Sequence, residues 1–249
     1  MINELKKQII NEFSSEITQK IYIKKADAGL WGSEEFLIKK YFIPKSTVLD
    51  IGCGTGRTSI PLYKLGYDIT GLDITPVMIK NAKKIAESKN LKIKYEIGDA
   101  TKLSYEDDTF DNVLFSFNGW TQIPGNNNRL EALKEIIRIL KPDGYFIFTA
   151  NTRKIGRFTL FWIKQWIKFF ILKPLGLTIE EVNFGDMFFN REDNNKRLQQ
   201  KQYIHIPSLK EVHKQIIKVG FNLVLAEKGN IICSHNTGKY SPTFFVCKN

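Results

Sequence analysis

The feature that most constrains this chain is the run from Val48 to Gly56, VLDIGCGTG, in which a β-rich apolar segment ends in three glycines. Glycine takes left-handed and crowded backbone conformations that a Cβ would forbid. A strand that turns through such residues into a helix brings backbone close to a ligand, with the helix N–H groups pointing at it. The spacing narrows the ligand. A dinucleotide-binding turn wants G-x-G-x-x-G. Here Gly52 and Gly54 are followed by Gly56, and the position that would carry the third glycine is Arg57. No GK[ST] follows, so this is not a P-loop. Asp50 ends the strand with a carboxylate, which is unhelpful beside a pyrophosphate and suits a ligand with an ammonium group. Asp73 ends the next apolar run, where an acidic side chain accepts both hydroxyls of a ribose. A ligand with a ribose, a cationic amine and no phosphate is S-adenosylmethionine.

The surrounding pattern supplies a fold for that loop. Arg57–Leu65 reads as a helix stopped by Gly66, and Tyr67–Asp73 as a strand. Pro76 opens a helix through Ser88, where a missing N–H costs nothing, with Thr75 as its cap. Leu91–Ile97 and Phe110–Phe117 read as strands. Asn128–Leu140 is a helix with Leu130, Leu133, Ile136, Ile137 and Leu140 on one stripe. Lys141–Gly144 reads as a turn before a strand at Tyr145–Ala150. Strands alternating with helices predict parallel βαβ units with helices on both faces of one sheet. Residues 1–44 read as a helical cover with a break around Lys25–Gly32, and 45–152 as the cofactor-binding core. Residues 153–206 interrupt the alternation. In 207–249, Ser208 caps a helix to Val219, and Phe221–Glu227 and Thr243–Cys247 read as an antiparallel pair completing the sheet.

Five segments then follow in order: VLDIGCGTGR, ITGLD at 69–73, IGDA at 97–100, FDNVLFSFN at 110–118 and LKPDGYFIFT at 140–149. Together they resemble the class I S-adenosylmethionine-dependent methyltransferases over residues 45–150. GLWGSEEF at 29–36 looks like the cofactor-covering entry segment of that family's small-molecule branch. The resemblance implies a Rossmann-like α/β fold. Its seven-stranded, mostly parallel sheet has the order 3-2-1-4-5-7-6, with an antiparallel last strand. It also implies positions for the cofactor S-adenosyl-L-methionine. Gly52, Gly54 and Gly56 would line its methionine and ribose end, and Asp50 would orient its amino group, directly or through water. Asp73 would hold the ribose hydroxyls, with Ile74 against the adenine. Asp99 would accept from the adenine amine and Ala100 would donate its backbone N–H to the ring. Phe115 and Phe117 would stand at the mouth of the fourth strand, near the reactive methyl.

Methyl transfer from a sulfonium is an in-line displacement on an activated carbon, so the protein must position the acceptor and exclude water. A general base is needed only where the acceptor loses a proton. The acceptor must therefore be read from residues 1–44 and 153–206. The net charge of +11 invites a nucleic-acid reading, but the lysines are spread along the chain, and its richness in Lys, Ile and Asn fits an AT-rich genome. After the fourth strand, Ser116-Phe117-Asn118-Gly119-Trp120 lacks the Asn/Asp-Pro-Pro-aromatic run that marks methyltransferases of exocyclic base amines. None of the three cysteines adjoins a proline, as methylation of cytosine carbon would require. A small, moderately apolar acceptor is the expectation. A tRNA or rRNA methyltransferase and a non-catalytic binder of the cofactor are the alternatives.

Phe158–Leu172, FTLFWIKQWIKFFIL, is the most unusual segment. Its aromatic residues recur near helical spacing, with Lys164 and Lys168 on another face. A lid that lines an apolar acceptor pocket with Trp162 and Trp166 is the leading expectation. A core helix, a membrane-surface helix and a dimer interface are the other readings. Of three histidines, His213 lies in a helix, His235 in a polar loop, and His205 is placed to face the acceptor if 153–206 folds over the cofactor. Isolated histidines and unpaired cysteines give no metal site, and few cysteines fit a reducing cytoplasm. No apolar run is long enough to span a membrane.

Overall fold

The computed structural model describes residues 2–154, 156, 158–193, 196–234 and 241–249; His235 lies outside these. Five parallel strands form the centre: β1 (Thr47–Ile51), β2 (Asp68–Asp73), β3 (Lys94–Ile97), β4 (Phe110–Phe115) and β5 (Leu140–Ala150). A hairpin, β6 (Asp186–Asp193) and β7 (Lys196–His205), stands apart as a two-stranded sheet. β8 (Asn222–Lys228) and β9 (Thr243–Lys248) return to the main sheet. Its order is β3-β2-β1-β4-β5-β9-β8, and β9 is antiparallel to both neighbours. Counted within that sheet, this is the expected order 3-2-1-4-5-7-6.

Alternation along the strands explains the layers. Successive side chains point to opposite faces. Val48, Ile69, Leu114, Ile147, Phe244 and Val246 pack on one face, and Leu49, Val113, Phe115, Phe146, Phe148 and Phe245 on the other. Helices α3 (Gly32–Tyr41) and α4 (Ser59–Lys64) cover the first face through Leu37, Ile38 and Leu62. Helices α6 (Asn126–Ile139) and α8 (Leu209–Lys218) cover the second through Leu133, Ile136, Val212 and Ile216. Burial on both faces is why the central strands read as nearly continuous apolar runs. The remaining helices are α1 (Ile2–Ser14), α2 (Glu16–Lys25), α5 (Pro76–Ser88), α7 (Thr159–Ile167) and a short α9 (Gly229–Ile232) between β8 and β9. The last of these joins two strands that the sequence left without a helix.

Three local expectations change. β4 ends at Phe115 rather than Phe117, because Phe117 and Asn118 take left-handed φ of 52° and 61°. The Lys141–Gly144 turn is absorbed into β5 as a register shift, with Asp143 at φ 66°. Thr75 does not cap α5 with its side chain; the Asp73 carboxylate accepts the Thr75 N–H at 2.8 Å instead. Ser208 does cap α8, accepting from the Glu211 N–H at 3.1 Å. Among the described residues, no helix is long and apolar enough to cross a membrane.

Candidate active site

The order reverses between β1 and β4, which pair in parallel side by side. Ligands of open α/β sheets bind in the crevice at such a reversal, outside the carboxyl ends of the strands. A cavity opens there. The turn after β1 lines it with Gly52 and Gly54, the end of β2 with Asp73 and Ile74, the loop after β3 with Asp99 and Ala100, and the end of β4 with Phe115 and Phe117. Gly52 and Gly54 have φ of 63° and 55°, so side chains there are strained. The Phe115 ring fills the space beside two glycines. A Cβ on Gly52 would come within 2.9 Å of it, and one on Gly119 would clash with the same ring.

Asp73 is fixed from both sides. Its Oδ2 accepts the Gly54 N–H at 3.0 Å and its Oδ1 the Thr75 N–H. Burial pushes its pKa up, and the two N–H donors oppose that push. Each oxygen keeps a further acceptor position beside the cavity. Asp99 lies across from it and pairs with Lys6 of α1. Burial raises the Asp99 pKa, but Lys6 and the Thr101 N–H and hydroxyl outweigh it and hold the carboxyl low. The donor set therefore fits S-adenosylmethionine: paired carboxylates for hydroxyls and an amine, apolar Ile74 and Met78 between them, and a glycine turn.

Two of the expected cofactor residues, Asp50 and Gly56, do not themselves line the cavity. Asp50 is buried, and its Oδ2 accepts hydroxyls of Thr58 and Ser59 at 2.6 Å each. Burial raises its pKa to about 6 against those two hydrogen bonds. Asp50 thus ties the end of β1 to the start of α4. Gly56 is likewise a packing glycine, since a Cβ there would meet the Tyr95 hydroxyl at 2.5 Å.

The N-terminal segment builds another side of the cavity. Ile9, Ile10 and Phe13 of α1 and Tyr22 and Lys25 of α2 line the cavity. Phe13 and Tyr22 meet edge to face at 5.7 Å, and Tyr22 meets Phe117 at 6.3 Å. Trp31 packs on the Phe117 ring at 5.4 Å, and the Lys25 ammonium lies 4.6 Å from its centroid. The left-handed turn at Phe117 is what aims its ring into this group. Such a conformation in a bulky residue costs on the order of 1–3 kcal/mol, and the surrounding contacts hold it.

A buried ion pair closes that side. Arg57 donates to both oxygens of Glu34 at 2.8 Å, and also to the Gly29 carbonyl at 2.8 Å. The Ser116 hydroxyl donates to Glu34 as well. Burial acts to lower the Arg57 pKa, yet Glu34 more than compensates and raises it. The pair staples α3 to the glycine turn and to the end of β4. Neither residue was singled out by the sequence reading. The available signal was a glutamate inside GLWGSEEF and an arginine directly after the third glycine.

The insertion does not reach the cavity: no described residue of 153–206 lines it. Trp162 and Trp166, expected in the acceptor pocket, do not line this cavity. Trp162 packs on Phe184 at 6.2 Å, and Trp166 is 48% exposed. His205 is fully buried one layer away. Its Nδ1 lies 2.8 Å from Asp186 and its Nε2 2.8 Å from Glu211. An imidazole tied at both nitrogens has no free position for an acceptor proton. Its place is structural, fastening β6 and β7 to α8, with Arg153 donating to Glu211 at 2.7 Å. Among the described residues, no cluster of His, Cys, Asp and Glu could hold a metal.

Comparison with known proteins agrees with this geometry. Residues 48–144 match a family described as a methyltransferase domain. The chain is 31% identical to a demethylmenaquinone methyltransferase of Staphylococcus aureus over 192 residues, 74% of this chain and 72% of that protein. Its fold is similar to an S-adenosylmethionine-dependent methyltransferase of Methanosarcina mazei (TM-score 0.67, 22% identity, 89% of this chain and 98% of that one). It is also similar to the Burkholderia thailandensis 1,6-didemethyltoxoflavin-N1-methyltransferase with S-adenosylhomocysteine bound (TM-score 0.64, 12% identity, 100% of this chain and 90% of that one). With the glycine turn, the acidic ends of β2 and β3 and the sheet order all in place, the chain belongs to the class I S-adenosylmethionine-dependent methyltransferase family.

Proposed function

We propose that this enzyme methylates a small, largely apolar acceptor held between the end of β4 and the N-terminal helices. When bound, S-adenosylmethionine supplies a methyl group already activated on a sulfonium. The chain's own residues bind, orient and exclude water. Gly52 and Gly54 allow close backbone approach at the methionine and ribose end. Asp73 accepts the ribose hydroxyls. Ile74 packs on the adenine, Asp99 accepts from its amine, and Ala100 donates a backbone N–H to the ring. Phe115 and Phe117 stand nearest the methyl.

The observation that carries the acceptor reading is the aromatic and aliphatic set Ile9, Ile10, Phe13, Tyr22 and Phe117 on one side of the cavity. Ligand sites are lined mainly by such groups, with a few polar ones fixing orientation. Here Lys25 is the cation beside that set. The demethylated menaquinone in the name of the 31% identical relative is the first acceptor to assay. The test is formation of S-adenosylhomocysteine with a panel of apolar ring compounds, and separately with total tRNA. Turnover with an apolar compound, reduced in Tyr22→Ala, is the expected result. Turnover with tRNA alone would overturn the reading.

A further inference from the structure

Most of the chain's apolar helices hide one face. The helix at 159–172 does not: neither α7 nor the π-helical turn at Lys168–Leu172 that continues it buries a single residue. It is held by a ring cluster, in which Trp162 and Phe169 each lie 6.2 Å and Phe170 5.4 Å from Phe184, with the Arg153 guanidinium 4.7 Å over that ring, and by Lys168, which donates to Glu181 at 2.6 Å. Its other side faces outward. Leu160, Ile163 and Ile167 recur there at helical spacing, with Leu160 75% exposed. An exposed apolar patch of this kind marks a surface that another body covers.

The charge around it says what that body is. From Thr152 to Ile179 the sequence carries Arg153, Lys154, Arg157, Lys164, Lys168 and Lys173 and no Asp or Glu, with Arg153 paired to Glu211 and Lys168 to Glu181 from outside that stretch. A second copy related by a two-fold axis would set this basic segment against itself. The whole chain also carries +11, which adds to that repulsion. A bilayer of anionic lipids instead offers phosphates to the lysines and an apolar layer to the rings. Tryptophan and long cationic side chains are the residues that settle at that boundary. The length also decides the orientation. Nine α-helical and five π-helical residues rise about 21 Å at most. That is short of the roughly 30 Å hydrocarbon core, so the helix lies in the interface plane.

We propose that Thr159–Leu172 is a docking helix for an anionic membrane surface. Leu160, Ile163, Trp166 and Ile167 enter the acyl boundary, and Lys154 and Lys164 meet the phosphates. The placement also bears on the cavity. Asn183, beside Phe184, accepts the Asn126 N–H at 2.9 Å, and Pro124 and Asn128 line the cavity on either side of that contact. Docking therefore brings the rim at 124–128 close to the bilayer. If the acceptor is apolar, as proposed above, it is drawn from the membrane; the docking itself does not depend on that reading.

The test is co-sedimentation of the full chain, without cofactor or acceptor, with vesicles of equal parts phosphatidylglycerol and phosphatidylcholine. The chain should pellet with these and stay in solution with pure phosphatidylcholine. Binding should weaken by about tenfold or more in Trp166→Glu and in Lys164→Glu, and stay unchanged in Val224→Ser at an exposed apolar site on β8. Raising salt from about 0.1 M to about 1 M, where screening shortens from about 10 Å to about 3 Å, should weaken it too. All three substitutions are at exposed positions, and S-adenosylhomocysteine binding by each variant checks its fold. Wild-type chain left in solution with the anionic vesicles overturns the proposal, as does unchanged binding in both Trp166→Glu and Lys164→Glu. A dimer by light scattering that Trp166→Glu dissociates, with no vesicle binding, assigns the face to a second copy.

Discussion

The N-terminal segment and the insertion at 153–206 both flank the cofactor core, and they do opposite things. The N-terminal helices are compositionally modest, with Phe13 and Tyr22 their main rings toward the cavity, yet they build one wall of it. The insertion holds FTLFWIKQWIKFFIL, the most aromatic stretch in the chain, and contributes nothing to that wall. The difference lies in anchoring. The N-terminal segment is tied to the cavity rim by Thr55 Oγ1 on the Tyr22 carbonyl at 2.7 Å, by Lys6 on Asp99 and by Arg57 on Glu34. The insertion is tied one layer out. Asp186, His205, Glu211 and Arg153 fix it to α8, and Gln202 reaches Glu12 on the outer side of α1 at 2.6 Å. An apolar segment thus takes its role from where its ends are fastened, not from how apolar it is.

The largest expected effect attacks the N-terminal anchor. Glu34→Ala leaves Arg57 charged and unpaired in a buried site, which costs about 3–5 kcal/mol. Urea unfolding should register that loss. A change below about 1 kcal/mol, the median range of an exposed pair, would mean that the wall is held by ring packing alone.

Next in size is the cofactor contact that both flanking regions leave to the core. Asp73→Ala should weaken S-adenosylhomocysteine binding by about 1.5–3 kcal/mol, the range for hydrogen bonds to a charged group. Calorimetry giving wild-type affinity would remove Asp73 from the site. Gly54→Val should lose binding as well, because a β-branched residue is strained at φ 55°.

Turnover sharpens the contrast directly. Tyr22→Ala should raise KM for the acceptor by about tenfold, the effect of emptying part of an apolar pocket. With an acceptor dissolved in water, Trp162→Ala and Trp166→Ala should leave kcat and KM within about twofold, since neither side chain touches the cavity. A large kcat loss in either tryptophan variant would return the insertion to the acceptor side.

The smallest effects are in pH dependence, where the insertion's anchor and the core should differ in sign. Asp186 and Glu211 are buried, but His205 and their other donors hold their pKa values below the unfolded ones. Their contribution is therefore present above the unfolded pKa, near 4, and is lost as pH falls through the folded values. Asp50 in the core is raised to about 6. Its contribution is present below about pH 4 and is lost as pH rises through 6. Unfolding followed by pH should show Asp50→Asn flattening the fall between about 4 and 6, while Asp186→Asn flattens the acid limb.

The alternation of strands and helices, the glycine turn and the acidic ends of β2 and β3 were all legible in the sequence because each is a local pattern. Strand periodicity, a turn that only glycine tolerates and a carboxylate at a strand end are written within a few residues of one another. Helix α5 at Pro76–Ser88 and the capped start of α8 at Ser208 were legible for the same reason. The tertiary structure decided what depends on partners far along the chain. It turned Phe117 out of β4 to meet Trp31, and drew Asp50 inward to the Thr58 and Ser59 hydroxyls. It set Gly56 against Tyr95, enclosed His205 between two carboxylates, and gave a wall of the cavity to α1 and α2 rather than to the aromatic insertion. The physical reason is common to all of these. A residue's type states what environment it tolerates, and only the packing of distant segments determines which neighbour supplies it.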